Sequence, residues 1–174
     1  MNYIKFLIIT FFVSLIFNSS TAHGPSRQKV SEKITINKDS DTVWKIIKDF
    51  KNFQWNPSIK SIDVKNNEIG SERVLNFGKG TVTQKLEKIN EDKKFIQWRI
   101  IKTDNNILPV NSYSAKVFVK ENNESTTITY KAGFYRGFMG NDPPEELNDE
   151  NSKKKVSSFI KDSLKGLKKI AESN

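Results

Sequence analysis

The chain has 174 residues, 36% of them hydrophobic, with 29 lysines and arginines, 20 acids and no cysteine. That length gives one domain with a sizeable core rather than two, and the missing thiols exclude a disulfide framework, thiol catalysis and thiolate metal sites. The cationic surplus favours acidic partners, but it is carried mostly by lysine and no arginine-aromatic recognition motif accompanies it, which argues against nucleic acid.

Lys5 is followed by an uncharged run, Phe6 to Phe17, and then by the small residues Ser20 and Ala22. The order is that of a secretory signal cleaved after Ala22, because the apolar run falls short of the roughly 20 residues that span a bilayer. The expected organisation is a leader over residues 1–22 and a single domain over 23–174. Loss of the leader removes Lys5 and no acid, leaving a net charge of +8. The expected compartment is the periplasm.

From Lys29 to Ile36 the apolar residues Val30, Ile34 and Ile36 alternate, with Glu32 interrupting the strand pattern. Asp39 or Ser40 can cap a helix whose Val43, Ile46, Ile47 and Phe50 repeat at helical spacing. Phe53 and Trp55 stand before Pro57, which closes a second short helix. From Ile59 to Tyr135 short turns rich in Gly, Asn, Asp and Glu separate about six alternating runs, including Ile96-Trp98-Ile100, Tyr113-Ala115-Val117-Val119 and Ile128-Tyr130-Ala132-Phe134. These predict an antiparallel sheet with one apolar face and one wet face. After Pro143-Pro144, Val156, Phe159, Ile160, Leu164, Leu167 and Ile170 fall on one stripe of a long helix, with Lys154, Lys161, Lys165 and Lys168 opposite. Acids gather at its start and lysines near its end, as the helix dipole prefers. Strand, two short helices, a run of strands and one long helix is the order of an α+β helix-grip, START-like fold, in which a curved antiparallel sheet wraps the last helix.

His23 is the single histidine, so a Ser-His-Asp triad has no general base within the body of the domain. Asp142, Glu145, Glu146, Asp149 and Glu150 lack the spacing of a calcium loop and suit a helix N-terminus. Neither glycine-rich nucleotide fingerprint is present. No metal or cofactor is expected. The aromatic residues Trp55, Trp98, Tyr113, Tyr130, Phe134 and Phe159 are candidates for lining an apolar pocket between sheet and helix. The loop from Gly133 to Pro144, with three glycines and two prolines, can present an edge. Tyr135, Arg136, Phe138 and Met139, with Lys154, Lys161 and Lys165 of the helix, are candidates for docking a partner.

The mature start His23-Gly24-Pro25, the run Leu108-Pro109-Val110-Asn111-Ser112-Tyr113-Ser114, and Phe134-Tyr135-Arg136-Gly137 followed by Asn141 to Glu150 resemble the MxaD-type periplasmic proteins. These belong to the SRPBCC superfamily, with the START lipid-transfer and polyketide cyclase/dehydrase families. The resemblance spans essentially the whole mature chain, and the last motif is the specific one. Related sequences often carry histidine where this chain has Asn56. The resemblance implies a non-enzymatic accessory role in periplasmic methanol oxidation, assisting electron transfer between a quinone-dependent methanol dehydrogenase and its cytochrome c, with no cofactor of its own. The alternative is a carrier that holds a small hydrophobic ligand between sheet and helix. A cyclase-like enzyme is the third reading.

Overall fold

The computed structural model describes residues 24–173; the leader over 1–22 and His23 lie outside the described residues. Seven antiparallel strands form one sheet: β1 (Gln28–Ile36), β2 (Ser61–Val64), β3 (Glu72–Asn76), β4 (Thr81–Asn90), β5 (Phe95–Thr103), β6 (Val110–Asn122) and β7 (Ser125–Arg136). Their order across the sheet is β1-β7-β6-β5-β4-β3-β2. The first and last strands of the chain therefore pair, and every other neighbour follows in sequence. Helix α1 (Ser40–Lys48) follows β1, and helix α2 (Asp149–Ser173) closes the chain against β1 and β7. The arrangement is the expected helix-grip, START-like one.

Alternation makes the sheet two-faced. Inward positions hold Leu86, Ile96, Trp98, Val117, Ile128, Tyr130 and Phe134, all buried, and they share one core with the stripe of Val156, Ile160, Leu164 and Leu167 on α2. Glu32 does not break β1. It stands opposite the buried Tyr130, on the helix side, where Ser157 Oγ donates to it at 2.7 Å and Lys161 lies at 3.7 Å. Register shifts between Leu86 and Lys88 and between Asn111 and Ser114 mark bulges, the second with Ser112 at φ 47°. Such bulges bend strands and let the sheet curve about the helix.

One expectation is corrected. A single helix follows β1, and residues 49–58 form turns rather than a second helix. The reason is local: Asp49, Asn52 and Asn56 each accept a backbone N–H two residues on, from Lys51, Gln54 and Ser58. Those bonds compete with helical ones, and Pro57 removes a further donor. At the other end of the sheet, residues Glu145–Leu147 form a short 3-10 turn before Asn148 caps α2 through the Asn151 N–H at 2.8 Å.

Candidate functional site

The six predicted pocket residues come together. Trp55, Trp98, Tyr113, Tyr130 and Phe134 are buried and Phe159 is half-buried. Phe53, absent from that set, is the joint between them: its ring lies 4.1 Å from Trp55, 5.8 Å from Trp98 and 6.0 Å from Phe159. Trp98 meets Tyr130 edge-on at 5.5 Å, the Tyr113 and Tyr130 hydroxyls are 3.3 Å apart, and Tyr113 stacks on Phe134 at 6.1 Å. The side chains pack on one another between sheet and helix. Edge-to-face and offset contacts of this kind stabilise by about 0.5–1.5 kcal/mol each beyond burial.

At the centre of this array stands Arg73, which the sequence shows only as a cation in a strand. It occupies an inward position of β3 beside Leu75, opposite Gln84 of β4, and is 2% exposed. Its Nε and Nη2 donate to Gln84 Oε1 at 2.9 and 2.7 Å, and Nη1 donates to the Phe50 carbonyl at 2.9 Å. The guanidinium lies over the rings of Phe50, Phe53 and Trp98 at 4.0, 4.3 and 5.1 Å. Among the described residues no carboxylate is within ion-pair distance of it. Burial pushes its pKa down to about 9, against the pull of Tyr130 and Asp49, so at neutral pH it remains a cation. Taking an ion out of water costs several kcal/mol after relaxation, and here a carbonyl, an amide and three π faces offset it.

Burial also pushes the phenols of Tyr113 and Tyr130 well above the usual range. Both are neutral O–H groups at physiological pH. The pair bond between them uses one hydroxyl proton and leaves the other for a further acceptor. The buried Trp98 Nε1–H has no acceptor among the described residues. The packed array thus holds a guanidinium, a spare phenol proton and an indole N–H, and its one acidic neighbour by charge, Asp49, lies in the flanking turns. That donor surplus suits a ligand with an apolar body and an acceptor-rich or anionic head. The legible signal for Arg73 and Gln84 was their register: alternation puts Arg73 with Leu75 and Gln84 with Val82 and Leu86.

Residues 49–58 cover this array as a roof and are fastened to α2. Buried Asn56 donates through Nδ2 to Ser163 Oγ at 2.7 Å and the Phe159 carbonyl at 3.3 Å. At Gly166 an added Cβ would lie 1.9 Å from the Trp55 carbonyl oxygen, so only glycine lets the helix approach this closely.

The predicted docking residues divide. Phe138 and Met139 are exposed at 37% and 50%, and Lys154 and Lys165 are exposed on α2. Lys161 is tied to Glu32. Arg136 is not a free surface fork: it is 7% exposed, pairs with Asp149 at 3.1 Å and donates to the Phe138 and Gly140 carbonyls at 2.8 and 2.6 Å. It holds the loop in shape. Tyr135 is half-buried beneath the Arg27 guanidinium at 5.6 Å. Among the described residues no group of three or more acids and histidines is placed to hold a metal ion, and no helix is long and apolar enough to cross a membrane.

Solved structures share this fold at low identity. An uncharacterised protein of Bacillus thuringiensis superposes with a TM-score of 0.69 at 21% identity, covering 83% of this chain and 98% of its own. The protein XoxI of Bacillus cereus does so with 0.68 at 22%, covering 82% and 94%. The Zhui aromatase/cyclase of Streptomyces sp. R1128 gives 0.66 at 15%, covering 84% and 94%. No curated protein matches the sequence. The profile of the family described as polyketide cyclase / dehydrase and lipid transport matches residues 27–172, essentially the whole described chain, and the protein belongs to that family.

Proposed function

We propose that the protein is a non-enzymatic, exported binding protein that takes a small amphipathic ligand between the sheet and α2, apolar body against the aromatic array and anionic head toward Arg73. The observation that carries this reading is the buried Arg73 guanidinium with no carboxylate partner among the described residues, beside unspent phenol and indole donors. An anionic head would neutralise the charge and accept those protons together. The same donors argue for binding rather than proton transfer, because neither neutral tyrosine nor arginine is a base at pH 7. The test uses anilinonaphthalene sulfonate, an aromatic anion, with uncharged N-phenylnaphthylamine as its control. Saturable binding of the anion that weakens about tenfold or more in Arg73→Gln, with the neutral dye little affected, is the expected outcome. An anion affinity unchanged by Arg73→Gln, or no binding of either dye, would overturn it.

A second reading, the accessory role in methanol oxidation with a dehydrogenase and cytochrome c as partners, is favoured by the apolar tip Phe138/Met139 standing exposed at one end of the molecule. An exposed apolar pair suits a transient contact. Stimulation of cytochrome-coupled but not dye-coupled methanol oxidation, lost in Phe138→Ser/Met139→Ser, is what this reading requires. Equal rates with and without the protein in both assays would remove it.

A further inference from the structure

The face of the sheet turned away from α2 is cationic over β1, β7, β6 and β5, and acids such as Glu87 and Glu72 enter it only beyond them, on β4 and β3. Along β1, β7, β6 and β5 the outward positions hold Lys29, Lys33, Lys131, Lys116, Lys120 and Arg99, and no acid. The acids of those strands face the other way: Glu32 stands opposite buried Tyr130, and Glu121 opposite buried Thr126. The register sets the cations side by side. One row across the sheet reads Ser31, Lys131, Lys116, Gln97 and Lys88, so Lys116 and Lys131 are direct cross-strand partners. Like charges in that position are destabilising.

Edge protection does not account for Lys116, Lys120 and Lys131, since β7 and β6 are interior strands of the sheet. They are also unpaired, as most lysines of the described surface are, so it is the shared face and the register that set them apart. On α2, Lys161 and Lys168 have glutamate partners, and Arg99 at the border of the outer face meets Glu87 at 3.5 Å. Among the described residues Lys29, Lys33, Lys116, Lys120 and Lys131 have none. A shallow groove between β1, β7 and β6 runs over Gly133, bordered by Arg27, Lys29, Lys116 and Lys131.

We infer that this outer face is a docking surface for a protein that presents an acidic patch. Lysine disperses its charge over flexible, hydrated ammonium groups, which suits carboxylates spread over a protein surface better than geometric recognition of phosphate. The aromatic residues of the face point the same way. Phe95 and Phe118 are half-buried, 5.5 Å apart, and Lys88 and Lys131 lie over them at 5.6 and 5.5 Å. Capped in this way they have no free apolar wedge to insert into a bilayer. The inference is independent of the ligand reading, because it concerns the opposite face of the sheet.

Poly-L-glutamate is the probe, with backbone amide shifts read by NMR at low salt. Binding should shift amides of β1, β7 and β6, weaken about tenfold or more in Lys116→Gln/Lys131→Gln, and persist in Lys154→Gln/Lys165→Gln. A thermal melt of each variant separates lost contact from lost fold. Shifts confined to α2, an unchanged affinity in the Lys116/Lys131 variant, no binding, or tighter binding to phosphatidylglycerol vesicles than to poly-L-glutamate would each overturn it. The probe contains no hydrophobic body, so failure here leaves the dye experiment above standing.

Discussion

Replacing Arg73 with methionine removes the buried cation and keeps an unbranched apolar stem. Three donated bonds disappear, two to Gln84 Oε1 and one to the Phe50 carbonyl. Two acceptors are then stranded away from water, at about 1–3 kcal/mol each. Against this, the desolvation of the guanidinium, several kcal/mol, is relieved. The two terms, about 2–6 kcal/mol of stranding against several of relief, nearly offset, so Arg73→Met should lie within about 2 kcal/mol of the parent. The double variant Arg73→Met/Gln84→Leu keeps the relief and strands only the Phe50 carbonyl. It should be at least as stable as the parent, which makes the two changes non-additive by about 1 kcal/mol or more. Urea midpoints of the three proteins at pH 7 decide it. A double variant less stable than Arg73→Met would refute the balance of burial and bonding drawn here, and with it the case that Arg73 is retained for a ligand.

Three further outcomes follow from the structure. Gly166→Ala gains about 1 kcal/mol of helix propensity but meets the Trp55 backbone, where overpacking costs about 1–3 kcal/mol, so the melting temperature should fall; a rise would show that residues 49–58 move freely. Because the Tyr113 and Tyr130 pKa values are raised on folding, the stability they contribute is present below the ordinary phenol pKa near 10 and lost as pH rises beyond it. Absorbance at 295 nm should therefore show both silent near pH 10 in the folded protein, and a Tyr113→Phe variant with a smaller folded-state step there would contradict this. Mass spectrometry of the exported protein should give a mature start at or near His23, and a chain retaining residues 1–22 would refute the cleavage.

The architecture was legible because it depends on period. Val43 to Phe50 and Val156 to Ile170 repeat as helices do, and Trp98, Tyr113 and Tyr130 alternate as a half-buried sheet does. That Trp98, Tyr113, Tyr130 and Phe134 face inward was legible for the same reason. What the sequence withheld depends on juxtaposition across long separations. Arg73 reads as one more surface cation until β3 is set against β4 and residues 49–58 are laid over it. Arg136 reads as a docking fork until Asp149 and the Gly140 carbonyl take its donors. The cationic patch over β1, β7 and β6 is invisible in a composition that mixes it with the lysines of α2. The missing second helix was signalled by Asp49, Asn52 and Asn56, whose side chains compete with the helix for backbone N–H groups.

A ligand can reach Arg73 only where the structure can open, and the bonding singles out residues 49–58. The strands are held by continuous ladders and α2 by its whole apolar stripe. The roof is held by side-chain bonds: Asn56 to Ser163 and the Phe159 carbonyl, Arg73 to the Phe50 carbonyl, and Asn67 to the Lys51 N–H and the Asp49 carboxylate. Five such bonds at about 0.5–1.5 kcal/mol net each, with about 1.5–3 kcal/mol for each buried ring of Phe50, Phe53 and Trp55, hold the closed state against an open one populated well below the per cent level. Lifting the roof withdraws Phe50, Phe53 and Trp55 together, since all three lie on it, and leaves the sheet intact. Amide exchange should therefore be faster at residues 49–58 than in β6 and β7, and slow further when the anionic dye is bound. Asn56→Ala, which cuts the tie to α2, should speed that exchange and raise the dye's association rate. If exchange quickens in Asn56→Ala while dye association does not, access lies elsewhere; if neither changes, the roof is not what closes over the array.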